Sequence, residues 1–249
     1  MRTRGGSVLV PLTPAHGVDK CGELRQPCRP QTPMRVLLTH ERFLPDFAGG
    51  GEHLVAGTAK HLLNAGVAVR VLTTGDPKLV SYEGVPTLRL PVHRYRFNLA
   101  VRRIEDLARD HDLIQTFNYH ACLPSFLAAR RLGKPIVCLA LAVFGRTWLE
   151  MKGQLVGRAA ALWERYVLTR PYDRLVLLTE HNRELAVGFG ASTARSLIID
   201  PAVDVHEYGP APEKEDVVLF SAKLEARKGV EELLDVARAL PDVRFQVLG

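Results

Sequence analysis

The sequence predicts an α/β chain: a domain built on a doubly wound parallel sheet, followed by the first βαβ unit of a second domain. Three observations predict it. Short segments that are apolar throughout (Val36–Leu38, Val69–Leu72, Ile136–Leu141, Leu175–Leu178) recur along the chain, and such runs suit parallel strands covered on both faces. Segments of helical period separate them, which implies right-handed crossovers. The 249 residues are 47% hydrophobic and 24% charged, a globular balance that excludes wholesale disorder and allows one or two domains.

The elements follow in order. Met34–Thr39 is the first strand, and Gly49-Gly50-Gly51 leads into a helix from Glu52 to Ala65. Leu54, Val55, Ala59, Leu62 and Leu63 repeat at helical spacing, and Gly66 marks the stop. Val67–Thr73 and Thr87–Leu90 are strands; a helix from Leu99 to Arg109 leads to the strand Asp112–Phe117. The helix Leu123–Leu132 ends at Gly133 and feeds Pro135–Leu141. One long helix, Leu149–Leu168, precedes the strand Arg174–Leu178, and a helix Glu180–Val187 precedes Ser196–Ile199. Past a Gly-Pro-rich stretch come a strand Val217–Ser221, a helix Val230–Leu240 and a strand Val243–Leu248. The expected organisation is a disordered extension at 1–33, an N-terminal domain at 34–208, a linker at 209–216 and an incomplete second domain at 217–249. One βαβ unit cannot cover its sheet faces, so the second domain reads as begun and unfinished.

Residues 1–33 contain nine Gly or Pro and half of the net charge of +6. Met34 is therefore an alternative start. The +3 left from Met34 onward is a weak footprint for nucleic acid. The longest apolar run, Ile136–Phe144, has nine residues, against about 20 for a bilayer span. No apolar signal core opens the chain. The four cysteines form no C-x-x-C pair and read as idle thiols of a reducing, cytoplasmic compartment.

Three places carry candidate chemistry. Glycines 49–51 lie between a strand and a helix, where bare backbone can approach an anionic ligand at the positive end of the helix. Aligned on Gly49 and Gly51, a dinucleotide fingerprint would need a third glycine at Leu54, which disfavours a nicotinamide enzyme. Lys223 and Lys228 flank a short strand-to-helix turn and can set two ammonium groups on one side of a cleft, outside the carboxyl ends of parallel strands. Asn118 and His120 follow one strand, and His40 and Glu41 follow another. These groups belong outside the carboxyl ends of the sheet, where they could hold a hydroxyl-bearing ligand. A basic, aromatic stretch, His93-Arg94-Tyr95-Arg96-Phe97, reads as a solvated edge, or as a patch that rests on an anionic membrane surface.

The segment MRVLLTHERFLPDFAGGGEHLVAGTAKHLLNAGVAVRVLTT, the unit DLIQTFNYHACLPSFLAARRLGKPIV, the run DRLVLLTEHNRELAVGFGA with IIDPAVD, and VVLFSAKLEARKGVEELLDVARALPDVRFQVLG stand in this order. Together they resemble the family 4 glycosyltransferases. The resemblance implies a GT-B architecture of two Rossmann-like domains, the second incomplete here. It implies transfer of a sugar from a nucleotide-sugar donor to an acceptor hydroxyl with retention, by a hexosyltransferase type of enzyme that needs no metal or other cofactor. Gly50, Gly51, Lys223 and Lys228 would bind the donor. His40, Asn118 and His120 would bind a glycan or lipid-linked acceptor on the N-terminal domain. No catalytic base is assigned. Where the family has Gly-Arg this chain has Ala222-Lys223; it has Leu141 where the family commonly has His. The family's two-glutamate motif lies beyond residue 249. The alternative is a non-catalytic, acceptor-binding half-module completed by a separate donor-domain chain.

Overall fold

The computed structural model describes residues 33–203, 205, 209, 213–224 and 228–249. The extension expected at 1–33 lies outside them except for Pro33, as does part of the linker expected at 209–216. Two compact units are present, one ending at Pro201 and one running Ala202–Gly249.

The first unit holds β1 (Arg35–Thr39), α1 (Gly50–Asn64), β2 (Ala68–Thr74), β3 (Ser81–Tyr82), β4 (Val85–Leu90), α2 (Val101–Ala108), β5 (Leu113–Phe117), α3 (Cys122–Leu132), β6 (Ile136–Ala140), α4 (Thr147–Leu168), β7 (Arg174–Leu177), α5 (Glu180–Gly188) and β8 (Ser196–Ile198). The eight strands run in the order β3-β4-β2-β1-β5-β6-β7-β8, parallel except for the hairpin β3–β4. β1 pairs with β2 on one side (Val36↔Val69) and with β5 on the other (Thr39↔Thr116). The chain therefore winds outward from β1 in one direction and then in the other. That makes the β1/β5 boundary the switch point, where open α/β sheets bind ligands beyond their carboxyl ends.

The apolar runs are buried on both faces, as their composition predicts. Along β1, Val36 and Leu38 enter one core with Val55, Ala56 and Ala59 of α1. Leu37 enters the other with Ile104 of α2 and Ala128 and Ala129 of α3. Alternate strand residues face opposite sides, and full burial of each leucine stabilises by about 1.5–3 kcal/mol.

Three features depart from the expected elements. β3 was not anticipated, because two residues carry no period. The segment Arg94–Leu99 is a separate 3-10 turn before α2. The single long helix is broken at Gly153, whose φ of 74° lies in the left-handed region. That break turns the first part of α4 back on the second. The turn is so tight that a Cβ on Gly157 would stand 2.5 Å from the Trp148 carbonyl oxygen.

In the second unit β9 (Val218–Ser221), α6 (Val230–Ala239) and β10 (Phe245–Leu248) form the expected βαβ unit, with β9 and β10 parallel from Phe245↔Val218 to Leu248↔Ser221. None of its described residues is buried.

Candidate functional site

Beyond the carboxyl end of β1, residues 40–49 form a loop with no regular structure of its own except turns. It is held from beneath. Arg89 of β4, with its side chain fully enclosed, places Nη1 2.7 Å from Asp46 Oδ2. Its Nε donates to Leu79 O at 3.0 Å, its Nη2 donates to Leu44 O, and its guanidinium lies over the Phe43 ring at 5.7 Å. Thr74 Oγ1 donates to Glu41 O at 2.7 Å. Gly75, at φ +138°, gives Asp46 room: a Cβ there would meet Asp46 Oδ2 at 2.0 Å. Sequence reasoning missed Arg89, although an arginine at a strand position that alternates with Val85 and Thr87 was a signal that acceptors waited elsewhere.

The loop opens into α1 through Gly49, whose extended backbone precedes the first turn without a side-chain cap. The helix starts at Gly50 rather than Glu52. The two glycines proposed for donor contact differ: a Cβ on Gly50 would meet nothing within 4 Å, whereas one on Gly51 would stand 3.0 Å from Leu141 Cδ1. Gly51 thus has a packing reason to be small, and Gly50 leaves open space at the helix start.

At the end of β5, Asn118 is buried and fully committed. Its Nδ2 donates to Ala142 O at 2.8 Å, and its Oδ1 accepts from Leu141 N at 2.8 Å. The residue expected to face an acceptor instead fastens the loop after β6, because both faces of its amide match backbone groups there. His40 is likewise turned inward. Its ring packs edge-on against Phe117 at 5.6 Å, and its Nδ1 lies 3.1 Å from the Arg42 N–H.

His120 is the proposed acceptor residue with a side chain half in solvent. The 3-10 turn Arg94–Leu99, which the sequence left as a basic edge, folds against it. Asn98 Nδ2 donates to Tyr95 O at 2.9 Å, a bond that fixes the amide's orientation, and lies 3.1 Å from His120 Nδ1. Nδ1 is therefore the acceptor, and the neutral ring carries its proton on Nε2. Tyr95 packs edge-on at 4.9 Å, and Arg94 covers the Tyr95 ring at 4.7 Å. Burial holds the His120 pKa below the usual histidine value; the Glu41 charge pulls upward, and Arg94, Arg42 and His93 push down.

A second support lies under the β5 and β6 loops. Glu164 of α4 is fully buried and accepts from Tyr119 Oη (2.9 Å), Phe144 N (3.0 Å) and Gly145 N (2.7 Å). Tyr119, Phe144 and Trp148 form an aromatic group over it. Burial first, then the Glu164 charge, raises the Tyr119 pKa well above the ordinary range.

In the second unit Lys223 follows β9 and Lys228 precedes Gly229, which has φ +81° and starts α6; both lysines are exposed. The turn between them, 225–227, lies outside the described residues. Cys122 and Cys138 are buried free thiols, with burial raising both pKa values, to about 12 for Cys122. Cys21 and Cys28 lie outside the described residues. Among the described residues no cluster of three His, Cys, Asp or Glu could hold a metal ion, and no helix is long and apolar enough to cross a membrane.

The chain resembles a D-inositol 3-phosphate glycosyltransferase of Mycobacteroides abscessus, 26% identical over 81% of this chain and 53% of that protein. A protein of the same name from Geodermatophilus obscurus is 27% identical over 72% of this chain and 42% of its own length. The chain thus spans about half the length of the curated relatives it matches. Among solved structures, Anabaena HepE in complex with UDP and glucose superposes with a TM-score of 0.67 at 17% identity, covering 86% of this chain and 60% of that one. Sucrose-phosphate synthase from Thermosynechococcus elongatus reaches 0.71 at 15% identity, over 86% and 61%. These likenesses establish the GT-B fold. Residues 49–202, from the glycine loop to the end of the parallel sheet, match the glycosyl transferase 4-like domain, and the chain belongs to that family of glycosyltransferases.

Proposed function

We propose that this chain carries the acceptor side, and the opening of the donor side, of a transferase that moves a hexose from a nucleotide sugar to an acceptor hydroxyl with retention of configuration. The observation that carries the reading is the match of residues 49–202 to the family, a region that runs from the glycine loop through the loop after β5 at the switch point. The HepE complexes contain UDP, UDP and glucose, or UDP-glucose, which supports a uridine nucleotide sugar as the donor to try first.

In this reading Lys223 and Lys228 neutralise the diphosphate. Breaking the anomeric C–O bond leaves charge on the departing nucleoside diphosphate, and fixed cations lower that barrier. Lysine at 223 provides charge without the bidentate fork of an arginine. The open backbone at Gly50 offers N–H groups to an anionic part of the donor at the start of α1, while Gly51 keeps the turn narrow. His120 meets the acceptor; His40 and Asn118 hold its loops from inside. The glycan or lipid-linked nature of the acceptor, peripheral membrane contact and a partner chain completing the second domain belong to the same proposal.

The test is thermal stabilisation of the 249-residue chain by UDP, ADP and GDP. A nucleoside diphosphate at 100 times its Kd should stabilise by about 2.7 kcal/mol, and Lys223→Ala with Lys228→Ala should remove the shift. Stabilisation that survives the double substitution would take both lysines out of the donor role.

A further inference from the structure

Gly153 splits α4, and the part beyond it turns one face to the domain and leaves the other uncovered. Gly157, Glu164, Val167 and Leu168 are buried. Val167 and Leu168 enter the same core as Phe126 of α3 and Ala186 of α5, and Trp163 packs against it. On the opposite side Leu155, Ala159, Leu162 and Tyr166 recur at helical spacing, and all four are exposed. Leu155 is 85% exposed, Leu162 66% and Tyr166 46%. A single leucine in water is ordinary. Large apolar side chains aligned along one uncovered helix face mark a surface that meets something apolar.

The charge on that face has one sign. Between residues 151 and 170 the basic residues are Lys152, Arg158, Arg165 and Arg170, and the one acid is Glu164, which is buried and held by the loops beneath. Among the described residues none of the four cations forms an ion pair. At about 100° per residue, Arg158 and Arg165 fall along one flank of the apolar stripe, and both are exposed. Arg170, just past the helix end, lays its guanidinium over the Tyr166 ring at 4.1 Å while its Nε donates to Tyr166 O at 2.9 Å. The neighbouring helix α3 reaches the same core, with Phe126 edge-on to Tyr172 at 5.4 Å, and it too presents a leucine and an arginine to solvent, Leu127 and Arg130.

The combination selects an occupant. A second copy meeting this face across a twofold axis would set Arg158 and Arg165 against a patch of their own sign. A nucleic acid would take the arginines and leave Leu155 and Leu162 in water. An anionic bilayer takes both: its phosphates receive the guanidinium groups, its acyl boundary receives the leucines, and Tyr166 sits with its hydroxyl at the level of the head groups. We propose that the outer face of α4 from Leu155 to Tyr166 is a docking surface for an anionic membrane, with the helix lying in the plane of the interface. The proposal deepens the reading above, on which it rests for a membrane contact, and it places that contact on α4 rather than on the basic stretch 93–97.

The experiment is co-sedimentation of the 249-residue chain with two kinds of vesicle, phosphatidylcholine alone and phosphatidylcholine mixed with phosphatidylglycerol, across a series of salt concentrations. The expected result is binding to the mixed vesicles that weakens as salt rises and is much weaker on phosphatidylcholine alone. Leu155→Ser with Leu162→Ser, and separately Arg158→Gln with Arg165→Gln, should each weaken binding at least about fivefold. Both pairs should melt as wild type does, because all four side chains are exposed. Arg94→Gln with Arg96→Gln should bind as wild type. The proposal is overturned if wild type does not bind the mixed vesicles, if it binds phosphatidylcholine alone equally well, or if either α4 pair binds within about twofold of wild type. It is also overturned if the Arg94 and Arg96 pair loses binding instead, or if wild type is a dimer that the leucine pair makes monomeric, which would give the face to a second copy. Should the leucine pair melt lower than wild type, the arginine pair carries the test. UDP stabilisation reports on the donor reading alone: its absence beside intact vesicle binding would remove that reading and leave this surface standing.

Discussion

The hydroxyl of Tyr119 donates to Glu164 Oε1 at 2.9 Å, across 45 residues of sequence. That contact joins the loop after β5 to α4. The same carboxylate takes the backbone N–H groups of Phe144 and Gly145, so one buried side chain ties together two of the loops that border the switch point. The enclosed carboxyl group is tolerated there because hydrogen-bond donors replace the water it lost.

Glu164→Ala should therefore destabilise by about 2 kcal/mol or more, because two buried backbone donors would lose their acceptor at about 1–3 kcal/mol each, while Tyr119 Oη keeps Ala142 O at 2.8 Å. Tyr119→Phe should cost about 1 kcal/mol. Glu164→Gln and Tyr119→Phe should be non-additive by about 0.5–3 kcal/mol in a double-mutant cycle. Urea denaturation measures all of these, and strict additivity would show that the two groups do not depend on each other.

Arg89 anchors the glycine-bearing loop from the opposite side. Arg89→Met should unfold the chain at lower urea, because the Leu44 and Leu79 carbonyls would lose their donor at about 1–3 kcal/mol each where buried. Gly75→Ala should also destabilise, since its Cβ would overlap Asp46 at 2.0 Å. If Gly75→Ala matches wild type in the urea midpoint, Asp46 does not occupy this position in solution.

Stability should fall at mildly acidic pH. Burial lowers the pKa of both His120 and His111 below the usual 6.5. Between each folded value and 6.5 the unfolded chain binds more protons, so stability rises with pH in that window. It is fully present above 6.5 and is lost as pH falls toward the folded values. Urea midpoints taken from pH 7.5 down to 5 should decline in wild type and less steeply in His120→Gln; equal slopes would refute the contribution of His120.

Gly50 and Gly51 should separate experimentally. Gly50→Ala meets open space and should leave stability unchanged or improve it by up to about 1 kcal/mol. Gly51→Ala must displace the end of Leu141 and should cost stability. Thermal melts of the two variants decide the order. Loss of nucleotide stabilisation in Gly50→Ala, with its melt intact, would mark the open backbone as a contact for the donor.

Amide exchange should be faster in β9 and β10 than in β1 and β5. The second unit buries none of its described residues, and two parallel strands with one helix have little to protect them. Protection of Leu219 or Val247 equal to that of Leu37 would contradict this.

What the sequence determined by itself is the sheet and its polarity. Apolar strands between amphipathic helices leave few other solutions, and the residues after each strand must then lie at one end, which is how His40, Glu41, Asn118 and His120 could be named together. Their distinct roles were settled by contacts that no local pattern encodes. Asn118 turns inward because Leu141 and Ala142 present backbone groups from the loop after β6. The basic stretch at 93–97 becomes the support of His120 through Asn98. Arg89 and Glu164 matter through partners 43 and 45 residues away. Period and composition report the burial of a face. Which polar atoms find partners on that face depends on long-range packing, and only the tertiary structure decides it.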